Sequence, residues 1–409
     1  MLPYTETHNH LSPTARSRLR VIIDTHLGDT FPTLSLAVIH RGEITLEAAW
    51  GWIDPDTQKH PVTPESRFDL ASVTKLFVAA TFLGLVSTGQ VRLDDPLVSV
   101  IPEFGDVNPR TVDGGQDPHT RIMLPTPEAR RSLLVNPAQV TFRHLLTHTS
   151  GLAPWRAVFE AAGPVPLPPD QADPLNRAQR WANGLKAIYG YPFIATPGTE
   201  IHYSDLGLIL LGEAVSRLHG ASGDLASVVQ TRVLNPLSLT SATYNPLRNG
   251  CERDNIPPTE FDSLWRKRRC WGEVHDENAC GLGGVAGHAG LFACARDVAG
   301  LGQAWLTRDA RLHIAPDVMD TATHTQVEDA IMRRGLGWMM RSNEDSSAGD
   351  VFDLSSYGHT GFTGTSLWID PTRQLVVACL TNRVYPGREK LGIHAFRRAI
   401  HDCLAEEIS

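Results

Sequence analysis

Apolar residues recur every three or four positions through residues 14–27 (TARSRLRVIIDTHL), the spacing of an amphipathic helix, with Thr14 placed as its cap. Two further runs, TLSLAVIH (33–40) and ITLEAAWG (44–51), are separated by RGE and read as an antiparallel hairpin. Residues 72–87 are apolar on every side, as in a wholly buried helix, and Gly89 follows at its end. Residues 104–140 are rich in Pro, Asp and Gly and read as a long surface excursion. VTFRHLLTH (140–148) predicts a short helix capped by Thr141 and stopped by TSGL. A Pro-rich stretch (162–174) leads into a helix near 174–188, and Asp205 precedes an amphipathic helix ended by Gly220. The glycine-rich 281–290 is a loop before a helix over 296–306. Three strands (GLGWMM, TSLWIDP and LVVACLTN) and a closing helix over 388–406 complete the chain.

Strands at both chain ends with helices between them predict an α+β fold, an α/β sandwich. One antiparallel sheet is built from N- and C-terminal segments, flanked by helices, and carries an inserted, mostly helical region. The expected division places residues 14–75 and 285–409 in the sheet-containing part and 76–284 in the helical part.

Composition narrows the function. The chain has 409 residues, 42% hydrophobic and 20% charged, with a formal net charge of −8, which gives no electrostatic basis for binding nucleic acid. Its one basic run, WRKRR (265–269), reads as a solvated loop or a set of local salt bridges. The N-terminus has no apolar signal region and no stretch approaches the ~20 apolar residues of a membrane span, so a cytoplasmic protein without a membrane partner is expected. Six cysteines without a CxxC pair predict reduced structural thiols and no zinc site.

Against that background one pair of residues stands out. Only five of the 37 basic residues are lysines, and one of them, Lys75, lies inside the apolar run, three residues after Ser72. A buried group that must release and regain a proton cannot be arginine, which stays protonated. On a helix the two side chains share a face. Burial disfavours an ammonium, so the reading is of a neutral amine able to take the serine proton, near a helix N-terminus that favours developing negative charge. Alone, S-x-x-K is equally met by a capping serine and a lysine that snorkels to the surface.

The remaining motifs decide between these. FDLASVTKLF (68–77), HLLTHTSGL (144–152), TPGTEIHYSDLGLILLGE (196–213), GHAGLF (287–292) and GHTGFTGTSLWIDP (358–371) together resemble the serine β-lactamase and penicillin-binding-protein-like superfamily, on the class C and family VIII esterase side. The likeness runs in order from about residue 33 to 385, as a single β-lactamase-related unit with a β-lactamase/transpeptidase-like fold. It implies that Ser72 is acylated, that Lys75 accepts its proton, and that Tyr203 shuttles protons to the leaving group and from water. It also implies an oxyanion hole from the backbone N–H groups of Ser72 and Phe362.

Two positions depart from the family pattern. Asp205 stands where Asn is usual; it either helps to hold Lys75 charged or caps the helix that starts at 206. His359, with Thr360 and Gly361, takes the place of Lys-Thr-Gly, so a cation is expected there only near and below roughly pH 6.5, and acidic substrates become less favoured.

Other patterns carry less. GLGGVA lacks the preceding strand of a dinucleotide site, HLLTH lacks the glutamate of a metalloprotease, and HDENA (275–279) reads as a polar loop near the cleft rather than a cation site. No G-x-S-x-G elbow occurs. The expected protein is a serine hydrolase of small ester or amide substrates, esterase-like, working through an acyl-enzyme without metal or cofactor. Its alternatives are a D-amino-acid peptidase or β-lactamase acting on amides and, from another class, a silent binding protein on the same scaffold.

Overall fold

A computed structural model describes residues 2–118, 120–220 and 223–408. The principal helices are α1 (Pro13–His26), α2 (Thr74–Ser87), α3 (Phe142–Leu146), α4 (Arg177–Gly190), α5 (Asp205–Leu218), α6 (Glu277–Gly281), α7 (Ala295–Leu306) and α8 (Ile393–Ile408). The main sheet takes β1 (Tyr4–Asn9), β2 (Thr33–His40) and β3 (Glu43–Gly51) from the start of the chain. From its end come β4 (Val327–Glu328), β5 (Arg333–Arg334), β6 (Met339–Met340), β7 (Tyr357–Thr360), β8 (Ser366–Asp370) and β9 (Leu375–Thr381). Their order is β1-β3-β2-β9-β8-β7-β6-β5-β4, every neighbouring pair antiparallel. The weld between chain ends is β9 on β2, in register from Leu375 opposite His40 to Thr381 opposite Leu34.

Side chains alternate across these strands, and each face has its own apolar cluster. Ala37, Ile39, Leu367, Ile369, Val376, Ala378 and Leu380 enter the larger core, beneath α2, α5 and α7. Leu36, Val38, Trp368, Val377 and Cys379 enter a second core closed by Leu19 and Ile23 of α1 and by Phe396, Ile400 and Leu404 of α8. A sheet buried on both faces explains why β2 and β9 read as near-continuous apolar runs.

Several boundaries differ from those expected. The cap of α1 is Ser12, whose Oγ accepts from Ala15 N at 3.2 Å, because Pro13 fits the first helical position; Thr14 lies inside the helix. The closing helix starts at Ile393, since Gly387 and Gly392 hold φ of +135° and +103° just before it. The helix after the Pro-rich stretch begins at Arg177 under an Asn176 capping box. Thr141 does cap α3: its Oγ1 accepts from His144 N, and His144 Nδ1 accepts from Thr141 N.

The 104–140 excursion is largely exposed yet pinned. Asp113 pairs with Arg156 at 2.5 Å, Gln116 Oε1 accepts from Ala157 N, and Arg121 reaches Glu277 at 3.5 Å. The six cysteines are free thiols. Among the described residues no helix is long and apolar enough to cross a membrane.

Candidate active site

The short strand Phe68–Asp69 delivers the chain to Ala71, which holds φ of +46°. A side chain there costs about 1–2 kcal/mol relative to the ordinary right-handed conformation. Asp69 Oδ1 secures it by accepting from Ala71 N at 2.8 Å. Such strain collects where geometry matters. It turns Ser72 into a 3₁₀ turn (Ala71–Val73) at the head of α2, facing a cleft of about 440 Å³.

Lys75 follows one turn later with 1% of its surface exposed. Its Nζ lies 2.9 Å from Ser72 Oγ, 3.0 Å from the His288 carbonyl oxygen and 2.8 Å from Asp205 Oδ1. Ser72 and His288 accept hydrogen bonds from the ammonium, and Asp205 is its counter-ion. Burial works against that charge, but the Asp205 carboxylate raises Lys75 above the ordinary lysine range. The neutral amine expected from burial alone is therefore corrected: the carboxylate outweighs desolvation. The other expectation for Asp205, a helix cap, is also corrected. Ser204 caps α5, its Oγ accepting from Gly207 N at 3.3 Å, and Asp205 stands at the first helical position, free to face Lys75.

Tyr203 completes the group. Its ring centroid is 4.9 Å from Lys75 Nζ, and its phenol interacts with both Lys75 and Ser72. Burial holds that phenol protonated above its usual range, against the pull of Lys75. Ser72, Lys75, Tyr203 and Asp205 are thus brought together from two helix starts, α2 and α5. Beneath Tyr203 packs His148, at 4.5 Å between ring centroids. His148 has φ of +61°, and its Nδ1 accepts from Ser204 N at 3.0 Å. Burial, then the nearby cations, push it well below the usual imidazole range. This support was missed in the sequence, although His148 lies inside the HLLTHTSGL motif.

His275, Asp276 and Glu277 of HDENA line the same cleft, and from Glu277 onward the expected polar loop is the start of α6. His288 Nε2 meets Asp276 Oδ1 at 2.7 Å, and Asp276 also caps α6. Ligand atoms of Asp205, Asp276 and His288 lie within 4.8 Å of one another, a set that could hold a cation. The Lys75 ammonium already serves Asp205 there.

On the opposite wall β7 carries His359 and Thr360, and Gly361 follows directly past its end. His359 is 1% exposed; its Nδ1 donates to the Thr360 carbonyl oxygen at 2.8 Å and its Nε2 is buried without a partner. Burial, followed by Lys75 and Arg334, pushes it well below the usual imidazole range. The expected cation near pH 6.5 is therefore corrected to a neutral ring.

Positive charge is supplied instead by Arg334 on β5, unsuspected in the sequence. Its guanidinium lines the cleft 5.1 Å from the Tyr203 ring centroid and is 4% exposed. Among the described residues no carboxylate pairs with it. Nothing local in IMRRGLGW separates it from Arg333, which donates to the carbonyl oxygens of Arg341 and Leu354 instead.

Past Gly361 the chain turns back through Phe362, Thr363 and Gly364. Thr363 Oγ1 donates to the Asp69 carbonyl oxygen at 2.7 Å and Thr365 Oγ1 to that of Leu70 at 2.9 Å. A Cβ on Gly361 would lie 2.1 Å from Thr365 Oγ1 and 2.5 Å from the Leu70 oxygen, so only glycine permits this approach. The two threonines hold the turn against the backbone just before Ser72. A hydroxyl beside a lysine and a phenol, with backbone peptides gathered around it, is a constellation suited to acyl transfer.

Comparison with known proteins agrees with the architecture. A family model described as Beta-lactamase matches residues 20–401. The chain is 30% identical over 382 residues to a protein of Escherichia coli K12 named "Putative D-alanyl-D-alanine carboxypeptidase", covering 86% of this chain and 79% of that one. A protein of the same name from Salmonella agona is 29% identical over 398 residues, covering 90% and 82%. Among solved structures, EstCE1, a hydrolase with promiscuous acyltransferase activity, superposes with a TM-score of 0.70 at 18% identity, covering 96% of this chain and 98% of its own. A penicillin-binding protein homologue from Caulobacter crescentus gives 0.69 at 18% identity, covering 99% and 100%. The fold is β-lactamase/transpeptidase-like.

Proposed function

The chain belongs to the beta-lactamase family, and from that premise we propose that it hydrolyses small ester or amide substrates that carry a carboxylate beside the scissile bond, through an acyl-enzyme on Ser72. Ser72 Oγ attacks the carbonyl carbon while its proton passes into the Lys75–Tyr203 pair. The oxyanion faces the N–H groups of Ser72 and Phe362. Tyr203 returns the proton to the leaving group as its bond to the acyl carbon breaks, and water then repeats the sequence to release the acid. Because Lys75 rests as an ammonium, one proton must leave the pair before Ser72 can give up its own.

The observation that carries the substrate class is Arg334. A guanidinium without a carboxylate partner, nearly buried in the cleft wall, offers a forked donor to an anion. The names of the curated relatives agree, since a carboxypeptidase acts beside a free carboxylate. A second reading, a neutral esterase, is favoured by the apolar cleft residues Trp155, Met339, Phe362 and Ile393.

Measuring kcat/KM for an N-acylated peptide ending in D-alanine and for p-nitrophenyl acetate separates these. A hydrogen bond to a charged group contributes about 1.5–3 kcal/mol, so Arg334→Met should lower the rate on the carboxylate substrate about 10- to 100-fold and spare the neutral ester. Turnover of the ester with none of the peptide would favour the second reading.

A further inference from the structure

Arg397 of α8 is 6% exposed and, among the described residues, no carboxylate pairs with it. One Nη2 donates to the Gly361 carbonyl oxygen at 3.0 Å and to that of Thr365 at 2.6 Å, while its Nε is buried without a partner. Burial works against its charge; the Cys379 thiol beside it, pushed up to about 12 by burial, supplies no counter-charge, and the neighbouring Arg383, whose Nε donates to the Phe362 carbonyl oxygen at 3.0 Å, is another cation. Burying a guanidinium without a counter-ion is strongly unfavourable, more so beside a second one. Holding the 361–365 turn does not require it: Thr363, Thr365 and the Gly361 N to Thr365 oxygen bond at 2.7 Å already do so with neutral groups.

The Gly361 oxygen belongs to the same peptide unit as the Phe362 N–H. We infer that Arg397 is a positioning residue that polarises the Gly361–Phe362 peptide, making its N–H a stronger donor to the oxyanion formed at Ser72. This rests on the reading of Ser72 as the nucleophile and of the Phe362 N–H as a hole donor. A cation on the carbonyl oxygen draws electron density through the amide, and hydrogen bonds in such a chain reinforce one another in a low-dielectric site. The effect appears only as charge develops on the substrate oxygen, so it lowers the barrier without tightening ground-state binding.

Charge and hydrogen bonding are separated by two variants, Arg397→Lys, which keeps the cation, and Arg397→Gln, which keeps a donor without charge. The probe is phenylboronic acid, whose boron bonds to Ser72 Oγ and places an oxygen where the oxyanion would sit. One whole oxyanion donor contributes about 100- to 1,000-fold. Strengthening that donor by about 10–30% should then contribute about 2- to 8-fold. Arg397→Gln is expected to weaken phenylboronic acid by about that factor and to lower kcat on p-nitrophenyl acetate equally, with KM unchanged; Arg397→Lys should stay near wild type.

Equal behaviour of the two variants would overturn the inference. If wild-type protein forms no adduct at Ser72, the underlying reading fails, a different result from an adduct insensitive to Arg397. Should Arg397→Gln not fold, a second measurement decides. Gly361–Phe362 is the only Gly–Phe pair in the sequence, so ¹³C-carbonyl glycine with ¹⁵N-phenylalanine marks this peptide alone by NMR. A downfield-shifted Gly361 carbonyl is expected, and one at the ordinary amide position would equally overturn the proposal.

Discussion

Asp205 and Lys75 lie 2.8 Å apart, and that one contact sets the proton inventory of the site. Burial alone would favour a neutral amine; the carboxylate reverses it and lifts Lys75 above its ordinary range. If Lys75 must shed a proton before Ser72 reacts, kcat/KM rises with pH, and Asp205 delays that rise to higher pH. Asp205→Asn keeps the side-chain shape and removes the charge, so desolvation dominates and the ammonium becomes less stable. The acid limb of the kcat/KM profile should therefore move to lower pH by at least about one unit, equivalent to about 1.4 kcal/mol. An unmoved limb would show that Lys75 is not the group whose proton leaves. At this scale Ser72, Lys75 and Tyr203 were legible because each sits in a motif. Arg334 and Arg397 were not, because their meaning comes from partners they lack in three dimensions, and a sequence of many arginines does not mark those without a carboxylate.

Strands β2 and β9 were legible as elements, since burial on both faces leaves long apolar runs. So were α2, apolar all round, and α3, whose Thr141 cap is a local signal. The two-residue strands β4, β5 and β6 were only partly so: a period of two cannot be read from two residues, and they are strands because β7 offers an edge to β6 and the rest follow. The 361–365 turn is a tertiary product as well, held by Asp69 and Leu70 from nearly 300 residues earlier. Helix ends shifted wherever a backbone detail outweighed composition: Pro13 drew the cap of α1 back to Ser12, and Gly392 delayed α8.

Pairing of β9 with β2 joins both chain ends in one sheet, with α1 and α8 closing the rear core. Buried neutral histidines run through this structure. Burial pushes His148 and His359 well below the usual imidazole range and His401 down to about 4. The unfolded chain, titrating near 6.5, therefore binds more protons than the folded one in this interval, so stability is complete above that pH and is lost as pH falls through it. For His401, wholly buried, the loss between roughly pH 6.5 and 4 reaches about 3 kcal/mol. Urea midpoints should fall from pH 7.5 to 5.5, and His401→Gln should flatten the fall. A midpoint that holds or rises on acidification would contradict this.

The most direct measurement is intact-mass and peptide-mapping analysis after treatment with a fluorophosphonate. One adduct per chain is expected, on the peptide containing Ser72, and none in Ser72→Ala. A folded protein that takes no label, or takes it at another residue, would contradict the assignment of Ser72 as the nucleophile.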